Sequence, residues 1–335
     1  MSAGVPAAGA VLRLRNRTFG PDRPVVMAIV NRTSDSFYRP ARHDDDAAAL
    51  DAVARAAEEG ADLVDIGGVR AGRGREVDAE EEVRRVVPLV ARVRERHPDL
   101  LISVDTWRAE VAREVARAGA DLLNDTWAGH DPALVEVAAE HGLGVVCSHT
   151  GGALPRTDPF RVLYRADPRG DLRPDHRADL RPEHRADLRP DPRDDDGAPS
   201  DPRDGVLTDV LRTLSTAADR AVRLGVDPAS VLVDPTHDFG KNTWHSLHLV
   251  RRTQALVALG YPVLMALSRK DFVGETLDLT VDERLEGTLA ATAVAAWLGA
   301  RVFRTHDVRA TRRTLDMVAA IRGDAPPARA VRGLA

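Results

Sequence analysis

The 335-residue sequence has a single cysteine, few aromatic residues and no strong excess of either charge. One cysteine, Cys147, excludes an internal disulfide, suits a reducing cytosol and lies in an apolar run typical of a buried core thiol. Aromatic residues make up 4% of the chain against 43% hydrophobic residues, so a core must consist mainly of Ala, Val and Leu. The net charge of -5 gives no support to a nucleic-acid-binding or membrane-surface role.

The sequence also has no long apolar run. The N-terminus carries no basic region ahead of its apolar part, so a signal peptide is not predicted. The longest run of low charge, "GTLAATAVAAWLGA" at 287–300, is too short and too rich in Ala to span a bilayer. These absences predict a cytoplasmic protein without a membrane segment.

One segment, residues 165–205, differs from the rest because it is charged, rich in proline and repetitive. The octad "DLRPDHRA" (171–178) recurs as "DLRPEHRA" (179–186) and again as "DLRPDP" (187–192). Such a segment has almost nothing to bury and is predicted to be a disordered insertion in a surface loop. The alternative is a charged interaction arm. The repeat histidines are interpreted as passengers rather than metal ligands.

Elsewhere a helix-period segment repeatedly ends at a glycine and is followed by a short apolar run. Glycine just past a helix end predicts a left-handed cap. Apolar runs without alternation are typical of strands buried on both faces of a parallel sheet. The six glycines are Gly60, Gly119, Gly142, Gly225, Gly260 and Gly299. Eight strands are predicted, at about 25–30, 62–66, 101–105, 121–124, 143–148, 231–234, 262–267 and 301–304.

Eight strands, each followed by a helix and the last helix at about 308–322, predict an α/β fold, a TIM (β/α)8 barrel of one domain. The barrel is expected over 21–322, interrupted by 165–205, with an N-terminal extension at 1–20 and a tail at 323–335. A doubly wound sheet is the alternative. It would normally carry a Gly-rich fingerprint after the first strand, where this chain has "NRTSDSF".

Each predicted strand ends in a residue that can hydrogen-bond or carry charge. In a TIM barrel these ends build the active site. The third, fourth and sixth strands supply two carboxylates and an amide, which suit a ring with several N–H donors and a carbonyl. The last two strands supply cations and a histidine, which suit a phosphate. The residues are Asn31, Asp65, Asp105, Asn124, His149, Asp234, Ser268, Arg269, Lys270, Arg304 and His306.

Several motifs, in order and at strand ends, give the chain a clear resemblance to dihydropteroate synthase, the pterin-binding TIM barrel of folate biosynthesis. "MAIVNRTSDSF" (27–37), "DLVDIGG" (62–68), "ISVDTWRAEVA" (102–112) and "ADLLNDTWAG" (120–129) are similar to the motifs of the first four strands. "VDPTHDFGKN" (233–242), "SRKDFVGE" (268–275) and "RTHDV" (304–308) are similar to those of strands six to eight. The resemblance covers about 25–320, apart from the insertion.

The resemblance implies an activity, a set of ligands and a role for each site residue. The family condenses 6-hydroxymethyl-dihydropterin pyrophosphate with p-aminobenzoate, an arylamine, often as a homodimer. By resemblance, the pterin is bound by Asp105, Asn124, Asp234 and Lys270, and the pyrophosphate by Arg304 and His306. The second substrate is expected to lie against Thr33, Phe37, Ser268 and Lys270. Asn31 is expected to ligate the Mg²⁺ on the pyrophosphate, a hard cation held mainly by phosphates and water.

The loops depart from the family more than the strand ends do. Where the family's second loop reads Gly-Gly-Glu-Ser-Thr-Arg-Pro-Gly, residues 67–74 read Gly-Gly-Val-Arg-Ala-Gly-Arg-Gly. Ser34 stands for a proline, and Thr236 and Asp238 stand for two glycines. Three functions are therefore open. They are a working synthase with variant loops, a weak or inactive paralogue that binds or senses a pterin, and another pterin-barrel chemistry such as methyl transfer. The cations near strands seven and eight favour a pyrophosphate ligand over the third.

Overall fold

The computed structural model describes residues 10–31, 46–70, 72, 74–157, 164 and 204–332. The predicted members of the second-substrate site, Thr33 and Phe37, lie outside the described residues, as does 165–203 of the predicted insertion. The two remaining positions of that insertion, 204 and 205, belong to a helix. The prediction of a disordered segment therefore applies only to residues 165–203 and stays a prediction.

An eight-stranded parallel barrel forms the centre of the protein, as the sequence predicted. Its strands are β3 (Val25–Asn31), β4 (Leu63–Gly67), β5 (Leu101–Asp105), β6 (Leu122–Asp125), β7 (Gly144–Ser148), β8 (Val231–Asp234), β9 (Leu264–Met265) and β10 (Val302–Thr305). Neighbours pair in the order β8-β7-β6-β5-β4-β3-β10-β9. A parallel bridge between Val233 and Val263 joins the two ends of this order and completes the barrel.

Ten helices are described around the barrel. They are α1 (Asp46–Glu58), α2 (Ala79–Arg96), α3 (Ala109–Ala118), α4 (Ala133–His141), α5 (Asp204–Arg223), α6 (Thr243–Arg251), α7 (Thr253–Val257), α8 (Asp271–Leu277), α9 (Leu285–Trp297) and α10 (Val308–Arg322). All six glycines predicted to cap helices have a positive φ, and Gly119 and Gly142 are the C-caps of α3 and α4. No helix in the described part of the chain is long and apolar enough to cross a membrane.

The core consists of small aliphatic side chains, as the scarcity of aromatic residues required. One cluster of buried residues lies between the outward face of the strands and the helices, and Cys147 belongs to it. Burial raises the pKa of the Cys147 thiol to about 12, which makes it a core residue rather than a nucleophile.

A hairpin that the sequence reading did not foresee covers the N-terminal end of the barrel. Its strands are β1 (Leu12–Leu14) and β2 (Arg17–Phe19), inside the stretch expected to be an extension. Leu12, Leu14 and Phe19 are buried in a second cluster with the inward side chains of the barrel strands. The hairpin therefore seals one end of the barrel and leaves the carboxyl ends of the strands as the open end.

The strand β9 is shorter than the predicted 262–267. Pro262 has no N–H to donate, and its carbonyl accepts from the amide of Val233 at 3.0 Å. The carbonyl of Val263 accepts from the amides of Arg301 and Val302. The segment thus follows the barrel without forming a full ladder, and it still delivers Ser268 and Lys270 to the open end.

Candidate functional site

A cavity of about 540 Å³ lies at the carboxyl ends of the barrel strands. Most of the predicted strand-end residues line it, namely Asn31, Asp105, Asn124, Asp234, Ser268, Arg269, Lys270, Arg304 and His306. Asp65 and His149 do not line it, because both side chains are buried behind it. The strand ends therefore converge as the barrel geometry requires, although their assignment to particular ligands stays a prediction.

Asp65, at the centre of β4, holds two side chains of the cavity, Asn124 and Arg304, in place. It is fully buried and accepts three hydrogen bonds: from Ser103 Oγ at 2.6 Å, Asn124 Nδ2 at 3.1 Å and Arg304 Nε at 2.6 Å. A carboxylate with this many donors is a rigid anchor. Asp65 does not line the cavity itself, so it acts by positioning Asn124 and Arg304. From the sequence alone, Asp65 is recognisable only as a polar residue near a strand end.

Asp105, at the end of β5, carries a carboxylate that is partly exposed to the cavity. Its Oδ2 accepts from Arg304 Nη2 at 3.1 Å, and its Oδ1 from Thr126 Oγ1 at 2.9 Å. Burial raises the pKa of Asp105 to about 7, although the neighbouring Arg304 opposes this shift. The group therefore changes charge near neutral pH and can accept hydrogen bonds from a ligand in its ionised form.

Asp234, at the end of β8, and Lys270, in the segment after β9, are cavity-lining side chains of opposite charge. Asp234 Oδ1 accepts from the amide of Thr236 at 2.7 Å, and burial raises the pKa of Asp234. Lys270 Nζ donates to the carbonyl of His237 at 2.9 Å and lies 4.3 Å from the centre of the Phe239 ring. Burial lowers the pKa of Lys270. Acceptors and donors thus face the same space, as a pterin edge requires.

The chain has only two lysines, Lys241 and Lys270, and both lie in this region. Lys241 is buried, and its Nζ donates to the carbonyls of His149, Thr236 and Phe239 at 2.8, 3.1 and 3.0 Å. Burial lowers the pKa of Lys241 to about 7. Lys241 therefore ties the loop after β7 to the loop after β8. Lys241 was not among the predicted site residues, although the rarity of lysine among 47 basic residues is a signal for it.

The cations near strands β9 and β10 are less available than the sequence reading expected. Arg269 binds both carboxylate oxygens of Asp307, with Nε and Nη2 at 2.9 and 3.0 Å, and donates Nη1 to two carbonyls. Its charge is therefore compensated within the protein. Arg304 remains a cavity wall but is paired with Asp65 and Asp105.

His306 contributes a neutral ring to this side of the cavity. Its Nδ1 lies 3.1 Å from the hydroxyl of Ser268, which also accepts from the His306 amide at 3.2 Å. Burial and then the positive charge of Arg304 lower the pKa of His306 to about 3. At neutral pH it offers a hydrogen bond and no charge.

The variant loop after β4 does reach the cavity. Val69, Arg70 and Gly72 line it, and the carbonyl of Gly72 accepts from Arg156 Nε at 3.5 Å. Ala71 and Arg73 lie outside the described residues. An apolar side chain and a guanidinium therefore stand where the family places Glu and Ser.

The loop after β8 keeps a glycine-like backbone without the glycines. Thr236 and Asp238 have φ values of 52° and 68°, in the left-handed region that glycine favours. The hydroxyl of Thr236 accepts from the His149 amide and donates to the Asp234 carbonyl, and these bonds help to hold the strained conformation. Position 240 in the same loop is still a glycine, because a Cβ there would overlap the carbonyl oxygen of Thr150.

Comparisons with known proteins agree with this geometry. Residues 27–306 match the model of a family described as "Pterin binding enzyme". The chain is 54% identical over 322 residues to "Inactive dihydropteroate synthase 2" of Mycobacterium leprae, with 96% of this chain and 99% of that protein covered. It is 33% identical over 302 residues to dihydropteroate synthase of Bacillus subtilis, covering 90% and 89%. A structure of dihydropteroate synthase from Xanthomonas albilineans with 4-aminobenzoic acid has a TM-score of 0.73 and 33% identity, covering 94% and 98%.

Proposed function

The chain belongs to the pterin-binding enzyme family and is dihydropteroate-synthase-like, and from that premise we propose that it binds a pterin but forms dihydropteroate slowly or not at all. The observation that carries this proposal is the contrast between an intact cavity floor and altered loops at its mouth. The transferase fold is kept, and the loop after β4, which would complete the second-substrate site, is not.

The floor supports pterin binding. Asp105, Asn124 and Asp234 offer acceptors around one space, and Lys270 offers a donor opposite them. Asp65 fixes Asn124, and with it the neighbouring Arg304, before any ligand arrives, so little side-chain entropy is lost on binding. This arrangement suits a flat ring with several N–H groups and one carbonyl.

The loops support slow or absent turnover. Attack by an arylamine requires that the second substrate be held to a fraction of an ångström. The side chain of Val69 cannot hydrogen-bond, and that of Arg70 cannot reproduce the short reach of a hydroxyl. The name of the Mycobacterium leprae relative at 54% identity, an inactive synthase, supports the same conclusion.

A pyrophosphate with Mg²⁺ is the proposed partner of Arg304, His306 and Asn31. A magnesium ion carried by phosphates needs few protein ligands, and the amide of Asn31 is an oxygen donor of the right kind at the cavity wall. Among the described residues, no cluster of three His, Cys, Asp or Glu side chains is arranged to hold a metal. Bound there, the ion would neutralise phosphate charge, and Arg304 would add one guanidinium to that task.

We also propose a cytoplasmic homodimer. Neighbouring helices expose large apolar side chains: Leu277 on α8, Val294 and Trp297 on α9, and Met317 and Ile321 on α10. Exposed apolar groups on adjacent elements are typical of protein interfaces. Trp297→Glu is expected to convert the dimer to a monomer in sedimentation velocity, and a wild-type monomer would contradict this part. The cytoplasmic location is supported by Cys147, because a free, buried thiol suits a reducing compartment.

Two measurements test the proposed function together. Calorimetry with pterin pyrophosphate and Mg²⁺ should show binding that is lost when Asp105 and Asn124 are replaced. The gene should fail to restore growth to a strain without dihydropteroate synthase on medium lacking folate end-products. Growth would favour the second candidate function, a working synthase with variant loops. The observation that favours this candidate is the complete set of strand-end residues. Absence of pterin binding would contradict both.

A further inference from the structure

Asp238 occupies a corner of the cavity in which a ligand carboxylate would otherwise find donors. Its Oδ2 accepts from the backbone amides of Asp271 and Phe272, at 2.6 and 3.3 Å, where α8 begins. Its Oδ1 accepts from the hydroxyl of Ser246 at 3.1 Å. Asp238 and Asp271 both line the cavity. Amides at the start of a helix lack partners within the helix, and here a side chain of the protein already binds them.

The backbone holds Asp238 in this place. Its φ of 68° lies in the left-handed region, which Asp tolerates better than most residues and which glycine adopts freely. Its amide donates to the hydroxyl of Ser246 at 3.2 Å, so main chain and side chain are both anchored to α6. The carboxylate is therefore a fixed part of the wall. The family has glycine at this position, and glycine would leave the two amides open.

The surrounding charges also disfavour an incoming anion. The negative charge of Asp238 opposes the lowering of the Lys270 pKa by burial, so this carboxylate acts on the same ammonium that an incoming anion would meet. Asp271 adds a second carboxylate, bound to Arg284 Nη1 at 2.8 Å. A ligand carboxylate here would meet two carboxylates of the protein, and the Arg284 guanidinium nearby is already bound by one of them.

We propose that Asp238 is a specificity-determining residue that closes this corner to ligand carboxylates. A second ligand beside the pterin must then be uncharged or cationic where it faces Asp238. The inference rests on the proposed function, because it concerns a ligand that shares the cavity with a pterin. It gives a separate reason why 4-aminobenzoic acid, present in the structure of the Xanthomonas relative, suits this protein poorly.

Three ligands of one shape and different charge test the proposal: p-aminobenzoate, p-aminobenzamide and p-aminobenzamidine. Each is titrated into the protein by calorimetry, with and without 6-hydroxymethylpterin. The parent protein is expected to bind the amide and the amidine at least about tenfold more tightly than the carboxylate, since the carboxylate finds its donors occupied. Equal or tighter binding of p-aminobenzoate by the parent would overturn the proposal.

Asp238→Gly keeps the backbone conformation and frees both amides. This variant is expected to bind p-aminobenzoate at least about tenfold more tightly than the parent, and Asp238→Asn should give an intermediate value. Asp278→Gly is the matched control, because Asp278 has a φ of 57°, caps the other end of α8 and does not line the cavity. It should leave all three affinities unchanged.

An Asp238→Gly protein that is folded by circular dichroism and gains no affinity for p-aminobenzoate would overturn the proposal. If that variant does not fold, the parent's charge preference and Asp238→Asn decide the outcome. Pterin binding is read separately in the same titrations. Its absence would contradict the proposed function, while the order of the three ligands measured without pterin would still decide the role of Asp238.

Discussion

At the scale of single residues, we expect the charge of Asp105 to contribute to the proposed pterin binding. Asp105→Asn keeps the shape of the side chain and removes the charged acceptor. Losing a hydrogen bond to a charged group costs roughly 1.5–3 kcal/mol, so the affinity for a pterin analogue should fall about 10- to 150-fold in calorimetry. Asp316→Asn, at an exposed position of α10, should leave the affinity unchanged. An unchanged affinity for Asp105→Asn would show that the ring is not bound through this residue.

The raised pKa of Asp105 predicts how binding depends on pH. Its folded-state pKa of about 7 means that the carboxylate, the form that accepts from ring N–H groups, is present above this value and lost below it. Pterin affinity should therefore fall as pH decreases from about 8 to about 6. The dependence should be weaker in Asp105→Asn, which cannot titrate there. Affinity that rises toward low pH in the parent would contradict the assignment.

Lys241 lies where we do not expect an arginine to fit, although arginine is the basic residue nearly everywhere else in the chain. Its compact ammonium fits among three carbonyls, and a planar guanidinium is larger and has a different donor geometry. Lys241→Arg should lower the free energy of unfolding by about 2 kcal/mol in urea titrations. The reverse exchange at an exposed position, Arg84→Lys, should change it by less than about 0.5 kcal/mol. Equal unfolding curves for all three proteins would refute this role.

At the scale of elements, the loop after β4 is expected to limit turnover. Replacing residues 69–73 with Glu-Ser-Thr-Arg-Pro and combining this with Ser34→Pro stiffens the loop and returns its hydroxyls. Turnover should then rise without tighter pterin binding, because the change acts on the second substrate and the transition state. Replacing 69–73 alone is the control for the contribution of position 34. A graft that tightens pterin binding and leaves turnover unchanged would show that the loop acts on the floor instead.

The elements themselves could be predicted from the sequence because their signals are local. Apolar runs before polar strand ends, and glycines after helix-period segments, gave the eight barrel strands to within a few residues. Pairing between side chains far apart in sequence could not be predicted. The bonds of Asp65 to Asn124 and Arg304, and those of Asp238 to the start of α8, join loops and strands that only the barrel closure brings together. The ion pair between Arg269 and Asp307 could not be predicted for the same reason.

At the scale of the whole molecule, the charged repeat is expected to contribute little to stability. Deleting 166–203 with a short Gly/Ser bridge keeps Tyr164, whose hydroxyl donates to the Gly240 carbonyl at 2.7 Å, and keeps all of α5. The melting temperature should change by less than about 2 °C, because shortening a long loop costs little. A deletion that also removes Tyr164 is the comparison and should cost more. A large loss in the first variant would mean that the repeat packs on the barrel.

Binding of a pterin without efficient condensation is the proposed property that would set the whole molecule apart from a synthase. Product formation from pterin pyrophosphate, p-aminobenzoate and Mg²⁺ tests it most directly, measured by chromatography on protein already shown to bind the pterin. The structure and its altered loops predict turnover well below the usual enzyme range of about 1–10³ per second. Dihydropteroate formation within that range by the unaltered protein would contradict the proposed function.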